Sequence, residues 1–183
     1  MTVREIVTLP QASLKQKAHK VSNFGRDFQT LADDMVETMR QAPGVGLAAP
    51  QVGESLRLIV VEYGEDEENE AEARKLYIMA NPIITRTSEE TELGIEGCLS
   101  IPGFQGEVER YVGVTVRGLN RHGQPMTVRA RGWLARIFQH EIDHLDGILF
   151  TDRAEPGKIW PVEQQQGQVG PGAARISSSP ERA

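Results

Sequence analysis

The chain has one cysteine, no long apolar run and no excess of positive charge. A lone Cys98 cannot form an internal disulfide, which agrees with a reducing compartment. The most apolar stretch, Leu56 to Val61, is interrupted by Arg57 and falls far short of the roughly 20 residues of a membrane helix. The first nine residues carry Arg4 and Glu5 and lack the apolar core of a secretory signal. A cytoplasmic location with no membrane partner is the expectation. Formal net charge is −6, yet the stretch from Glu62 to Glu72 alone holds seven acids and no base, so the remainder is close to neutral. That run reads as a solvated loop. Neither half of the sequence reads as a basic platform for phosphates, so no direct nucleic-acid site is expected.

What is present is enough apolar material, 39% of 183 residues, to build one core. A single domain over 1–155 is expected, followed by a tail over 156–183 whose Pro, Gly and Ser content reads as mobile. Phe28, Leu31, Met35 and Met39 fall at helical spacing, predicting a helix from Asp27 to Gln41, with Asp27 placed to cap it and Gly44 beyond its end. Leu56 to Tyr63 reads as a buried strand, and Lys75 to Ala80 as a second that stops at Asn81-Pro82. Val108 to Leu119 and Pro125 to Ala130 flank Asn120-Arg121-His122-Gly123 as a hairpin. A further helix runs from about Gly132 to Asp146 and ends at Gly147. This order predicts an α+β fold with antiparallel sheet.

The last helix carries the chemistry. His140-Glu141-Ile142-Asp143-His144 is an H-E-x-x-H, in which two imidazoles four residues apart stack on one face and can grip one metal ion. At about 100° per residue, His140, Trp133, His144, Ile137, Glu141, Leu134, Leu145, Phe138, Ile142 and Ala135 share one arc of roughly 220°. Asp146, Gln139, Asp143 and Arg136 occupy the other. Two imidazoles and a carboxylate at the rim of an apolar face are expensive to bury unless a metal compensates them. A catalytic zinc-like site keeps three protein ligands and one open position. His19 and His122 read as surface residues, which leaves Cys98 as the better candidate for the third ligand.

Gly44-Val45-Gly46-Leu47-Ala48-Ala49 formally matches a dinucleotide fingerprint, but it follows a helix and runs into Pro50-Gln51, so that reading fails. It reads instead as a loop whose glycines admit a close ligand, with Gln51 offering an amide donor.

Gly44 to Gln51, Glu96-Gly97-Cys98-Leu99-Ser100 and Gln139 to Leu145 together resemble the three motifs of the peptide deformylase family, in its bacterial type 1 group. The likeness covers roughly 4–152. It implies antiparallel sheets packed around a central H-E-x-x-H helix, and a hydrolase that removes the N-formyl group from the N-terminal methionine of newly made polypeptides, releasing formate. By that resemblance Cys98, His140 and His144 are the ligands, Glu141 is the general base, and Gln51 with the Leu99 amide forms the oxyanion hole. The substrate strand would pair near Val45, Gly46 and Gly97, and Val45, Glu96, Trp133, Arg136, Ile137 and His140 would line the methionine pocket. Arg136 and Trp133 depart from the family's usual aliphatic and leucine residues there. The resemblance further implies Fe2+ in the cell, with Zn2+, Ni2+ or Co2+ able to substitute, and N-formyl-methionyl nascent peptides at the ribosome as partners. Two rivals stay open on the residues alone: an internal peptidase sharing H-E-x-x-H, and a metal-stabilised binding module without catalysis.

Overall fold

The computed structural model describes residues 2–42, 44–64 and 74–162; the acidic run from Glu65 to Glu72 and most of the expected tail lie outside them. In chain order the main elements are α1 (Arg26–Gln41), β1 (Gly46–Ala48), β2 (Leu58–Tyr63), β3 (Lys75–Thr87), β4 (Thr91–Cys98), β5 (Ile101–Tyr111), β6 (Gly113–Leu119), β7 (Pro125–Arg131), α2 (Gly132–Leu145), α3 (Phe150–Arg153) and β8 (Ile159–Pro161). The strands form two antiparallel sheets, one in the order β1-β2-β3-β6-β7 and one in the order β4-β5-β8. This is the α+β architecture expected from the sequence. No helix among the described residues is long and apolar enough to cross a membrane.

The larger sheet is buried on both faces of its first half, which is why β2 reads as an unbroken apolar run. Ile59 and Val61 face α2, together with Tyr77, Met79, Val114, Val116, Val128 and Ala130. Leu58 and Val60, the alternate positions, face α1 through Phe28, Leu31, Met35 and Met39. Each such side chain taken from water contributes on the order of 1.5–3 kcal/mol. α2 therefore runs through the middle of the molecule, between the five-stranded sheet and β5.

Several boundaries differ from the sequence reading. Asp27 does not cap α1: Gly25 holds that position, its amide donating to Asn23 Oδ1, while Asp27 sits in the first turn. Strand β3 does not stop at Asn81-Pro82 but passes through a bulge, where Asn81 takes a left-handed conformation (φ 52°) and its side chain both accepts from Val21 N and donates to Val21 O. The expected strand Val108 to Leu119 is two strands in different sheets, broken at Val112. The loop at Gly44 to Ala49 contains the short strand β1, paired with β2. Of the residues assigned to the tail, Ile159–Pro161 form β8 against Phe104, Gln105 and Gly106.

The end of α2 is fixed tightly. Arg57 donates to the Leu145 carbonyl and to Asp146, and Ala18 N donates to the same carbonyl. Gly147 follows at φ 74°, with any Cβ only 2.6 Å from the Lys15 carbonyl carbon, so the chain can turn here only through glycine.

Candidate metal centre

Three elements meet at one point: α2 supplies His140 and His144, the end of β4 supplies Cys98, and the turn after β1 supplies Gln51. The imidazole Nε2 atoms of His140 and His144 are 3.2 Å apart, and Cys98 Sγ is 3.2 Å from His144 Nε2. The three ligand atoms all lie within 4.8 Å of one another. Bonds of about 2.0–2.1 Å to nitrogen and about 2.3 Å to sulfur give tetrahedral edges of roughly 3.3–3.5 Å. Two edges of the cluster thus come close to those of a metal tetrahedron, with the third ligand pair within 4.8 Å. Glu141 Oε2 and His144 Nδ1 are buried polar atoms without a hydrogen-bond partner; a proton-accepting role would justify that cost for Glu141, whereas His144 Nδ1 lies on the side of its ring away from the ligand cluster.

The arrangement of His140 is built from behind. Arg110, in the inward register of β5, forks onto both Glu96 oxygens at 2.8 and 2.9 Å, and Glu96 Oε2 lies 2.9 Å from His140 Nδ1. A carboxylate there holds the proton on Nδ1 and leaves the Nε2 lone pair facing the sulfur. Burial opposes ionisation of Glu96, but the Arg110 and His140 contacts outweigh it and hold the carboxyl well below its usual range. Arg110 also donates to Asp143, which takes a two-pronged contact from Arg153 of α3. Gln139 closes the stripe by donating to the Tyr111 and Ala135 carbonyls and accepting from Tyr111 N. The arc of α2 that looked polar in the sequence is therefore buried as well: Arg136, Gln139 and Asp143 are each no more than 6% exposed.

Glu141 is 5% exposed and points into the same space from the next position on the helix. Desolvation pushes its carboxyl up to about 7, against the pull of His140. Its room is provided by Gly46, where a Cβ would come within 2.8 Å of the Glu141 carboxyl carbon. Gln51 is oriented unambiguously, because its Oε1 accepts from Ala48 N at 2.8 Å. Its Nε2 then faces Ser100 Oγ at 3.3 Å and Cys98 Sγ at 3.5 Å.

The other residues singled out in the sequence fall around this centre. Gly97 is exposed on β4, an edge strand, Leu99 is half-buried in the turn just after Cys98, and Val45 is 39% exposed at the start of β1. Ile137 is buried, and Trp133 is half-buried with the Arg136 guanidinium 5.9 Å from its ring centre. The Arg136 head group is committed elsewhere: it donates to Glu96 Oε1 at 2.9 Å, to Val108 O at 2.8 Å and to Glu92 O at 2.7 Å, seated over Gly94. Sequence reasoning missed Arg110, Asp143, Arg153 and Ser100 as parts of the assembly. For Arg110 the available signal was an arginine alternating with Val108 on the inward side of a strand.

A family profile described as polypeptide deformylase matches residues 3–160. The chain belongs to the polypeptide deformylase family. It is 50% identical over 155 residues to a peptide deformylase of Natranaerobius thermophilus, covering 85% of this chain and 94% of that one. It is 48% identical over 158 residues to a peptide deformylase of Thermodesulfovibrio yellowstonii, covering 86% and 93%. Among solved structures, the peptide deformylase of Ehrlichia chaffeensis in complex with actinonin superposes with a TM-score of 0.79 at 38% identity, covering 85% of this chain and 91% of that chain. That of Thermus thermophilus gives 0.75 at 43% identity, covering 84% and 86%. Membership makes the chain a metal-dependent hydrolase that removes N-formyl groups from newly made peptides.

Proposed function

We propose that Cys98, His140 and His144 hold one divalent ion, that Glu141 is the general base, and that the substrate is an N-formyl-methionyl peptide. The observation that carries this is Glu141 Oε2, buried without a hydrogen-bond partner beside one sulfur and two nitrogens, on a carboxyl poised near neutral pH. When bound, the ion supplies the Lewis acidity that makes a water nucleophilic near neutral pH. The donor set of one thiolate and two imidazoles suits both Fe2+ and Zn2+; likeness to the family favours Fe2+ in the cell, with Zn2+, Ni2+ or Co2+ as substitutes.

Glu141 takes a proton from the attacking water as its oxygen adds to the formyl carbon. Negative charge then grows on the formyl oxygen, which Gln51 Nε2 and the Leu99 amide stabilise as hydrogen-bond donors in this reading. As the C–N bond breaks, Glu141 returns the proton to the leaving nitrogen, giving formate and a free amino terminus. The peptide lies extended between the backbone near Val45 and Gly46 and the open edge of β4 at Gly97, adding a strand without side-chain obstruction. Ile137, Trp133, His140 and the stem of Arg136 form the methionine pocket, with Glu96 behind it.

Formate release from a formyl-Met peptide, measured with anaerobically purified protein beside its metal content, tests the reading. One formate is expected per free amine, in proportion to the metal bound. Fully metal-loaded protein that releases none would contradict it and favour a binding module.

A further inference from the structure

Among the described residues, nothing packs on one quadrant of the five-stranded sheet. α1 covers the outer face over β1 to β3 and reaches Leu119, while α2 covers the inner face. Beyond Leu119, no described residue covers the outer faces of β6 and β7. Cross-strand register places Arg86, Thr115 and Arg129 in one row and Ile83, Arg117 and Thr127 in the next; Arg131 lies opposite Gly113, which is bonded to Ser88. All four arginines are exposed. Same-face positions along a strand repeat about every 6.6 Å and strands lie about 4.8 Å apart, so the four arginines spring from a patch of sheet about 14 Å across.

No acid stands in these rows, and among the described residues none of the four arginines forms an ion pair. Elsewhere most described arginines are paired: Arg4, Arg40, Arg57, Arg110, Arg121, Arg136 and Arg153 each meet a carboxylate, and Arg26 and Arg74 do not. Like charges held side by side on a sheet repel one another unless something neutralises them. At the upper end of the patch is a shallow cleft of about 210 Å3, floored by Gly113 and lined by Arg86, Ser88, Thr115, Arg129 and Arg131.

The chemistry selects the ligand. Guanidinium forks, helped by a Thr hydroxyl such as that of Thr115, are donors that grip phosphate oxygens, whereas the Ser88 hydroxyl already donates to the Glu90 carbonyl. No aromatic ring stands in these rows to stack a base, so recognition would be of backbone alone. Ile83 is the one exposed apolar side chain in these rows, too little to anchor an amphipathic contact with a bilayer or to form the core of a protein interface. We infer that the face carrying Arg86, Arg117, Arg129 and Arg131 docks the phosphate backbone of RNA without regard to sequence. Only the choice of RNA rests on the proposed activity, since newly made chains emerge beside RNA. The individual arginines are scattered through the sequence, which is why no basic platform was visible there.

The test is fluorescence anisotropy with a labelled mixed-sequence single-stranded RNA of about 20 nucleotides, read over a salt series, using the full chain. Four phosphate contacts give a slope of log affinity against log salt of about −3, a loss of roughly fifty-fold between 50 and 200 mM. The double variant R129E/R131E is expected to weaken binding at least about tenfold and to flatten that slope, with unchanged thermal unfolding. R86Q/R117Q should do the same in smaller measure. K20E/R26E, the same charge change at the start of α1, should leave both quantities alone. The inference is overturned if the parent does not bind at low salt, if K20E/R26E weakens binding as much as R129E/R131E, or if a polyglutamate peptide binds the face more tightly than RNA. The assay requires neither metal nor formyl peptide, so its failure would leave the reading of the metal centre standing.

Discussion

Helix α2 carries two buried polar stripes, and they are finished differently. On one side Arg136, Gln139 and Asp143 have carboxylate, guanidinium or carbonyl partners for their charged and amide groups. On the other, Glu141 Oε2 and His144 Nδ1 have none, and three ligand atoms face one another. The satisfied stripe fastens the helix to β4, β5 and α3; the open stripe retains unspent bonding capacity where a ligand and a reaction can use it. Glu96 joins the two, since the same carboxylate that Arg110 and Arg136 hold also orients His140. Buried ionic groups are not in themselves evidence of catalysis. Lack of partners at a point where ligand atoms converge is a stronger sign.

Substitutions on the two stripes should separate in what they damage. Glu141→Gln removes the base and keeps the shape: turnover is expected to fall by about 10²–10⁴, with metal content retained, in a formate assay paired with metal analysis. Retained turnover would move the proton-transfer role elsewhere. Arg110→Met strips the satisfied stripe of its centre and leaves Glu96 and Asp143 buried without a full complement; a loss of about 3–5 kcal/mol, or roughly 6–20 °C in Tm, is expected by calorimetry. Gly46→Ala drives a methyl group against the Glu141 carboxylate. Displacing it at a cost of about 1–3 kcal/mol should cut kcat by roughly 10–100-fold, with Tm little changed. Gly94→Ala does the equivalent to Arg136, whose guanidinium lies 2.7 Å from where that Cβ would stand. It should lower Tm by several degrees, the smallest of the four effects, while kcat changes less than in Gly46→Ala. If Gly46→Ala unfolded the protein and Gly94→Ala abolished turnover, the division between the stripes would be wrong.

The parts of this arrangement that were legible in the sequence are those with a short-range period. α1 and α2 announced themselves by apolar spacing, β2 by its unbroken apolar run, and the β6–β7 hairpin by Asn120 to Gly123, where Gly123 takes a positive φ. The H-E-x-x-H was readable as chemistry because two imidazoles and a carboxylate are costly to bury without purpose, and Cys98 because that pair lacked a third ligand and a thiolate can supply one. Strand β4 escaped because its pattern is inverted: Leu93 and Ile95 face outward, and Glu96 faces inward to meet Arg110. The satisfied stripe escaped for a related reason. Asp143 looks like a surface residue until Arg110, 33 positions away, is brought against it by a fold that local periodicity does not encode.

The central claim is that one sulfur and two imidazole nitrogens share a single ion. X-ray absorption at the edge of the bound metal tests it most directly. The account expects one sulfur at about 2.3 Å and two nitrogens at about 2.0–2.1 Å, with the sulfur shell lost in Cys98→Ser. A metal bound at one equivalent with only oxygen and nitrogen neighbours, unchanged by that substitution, would contradict it.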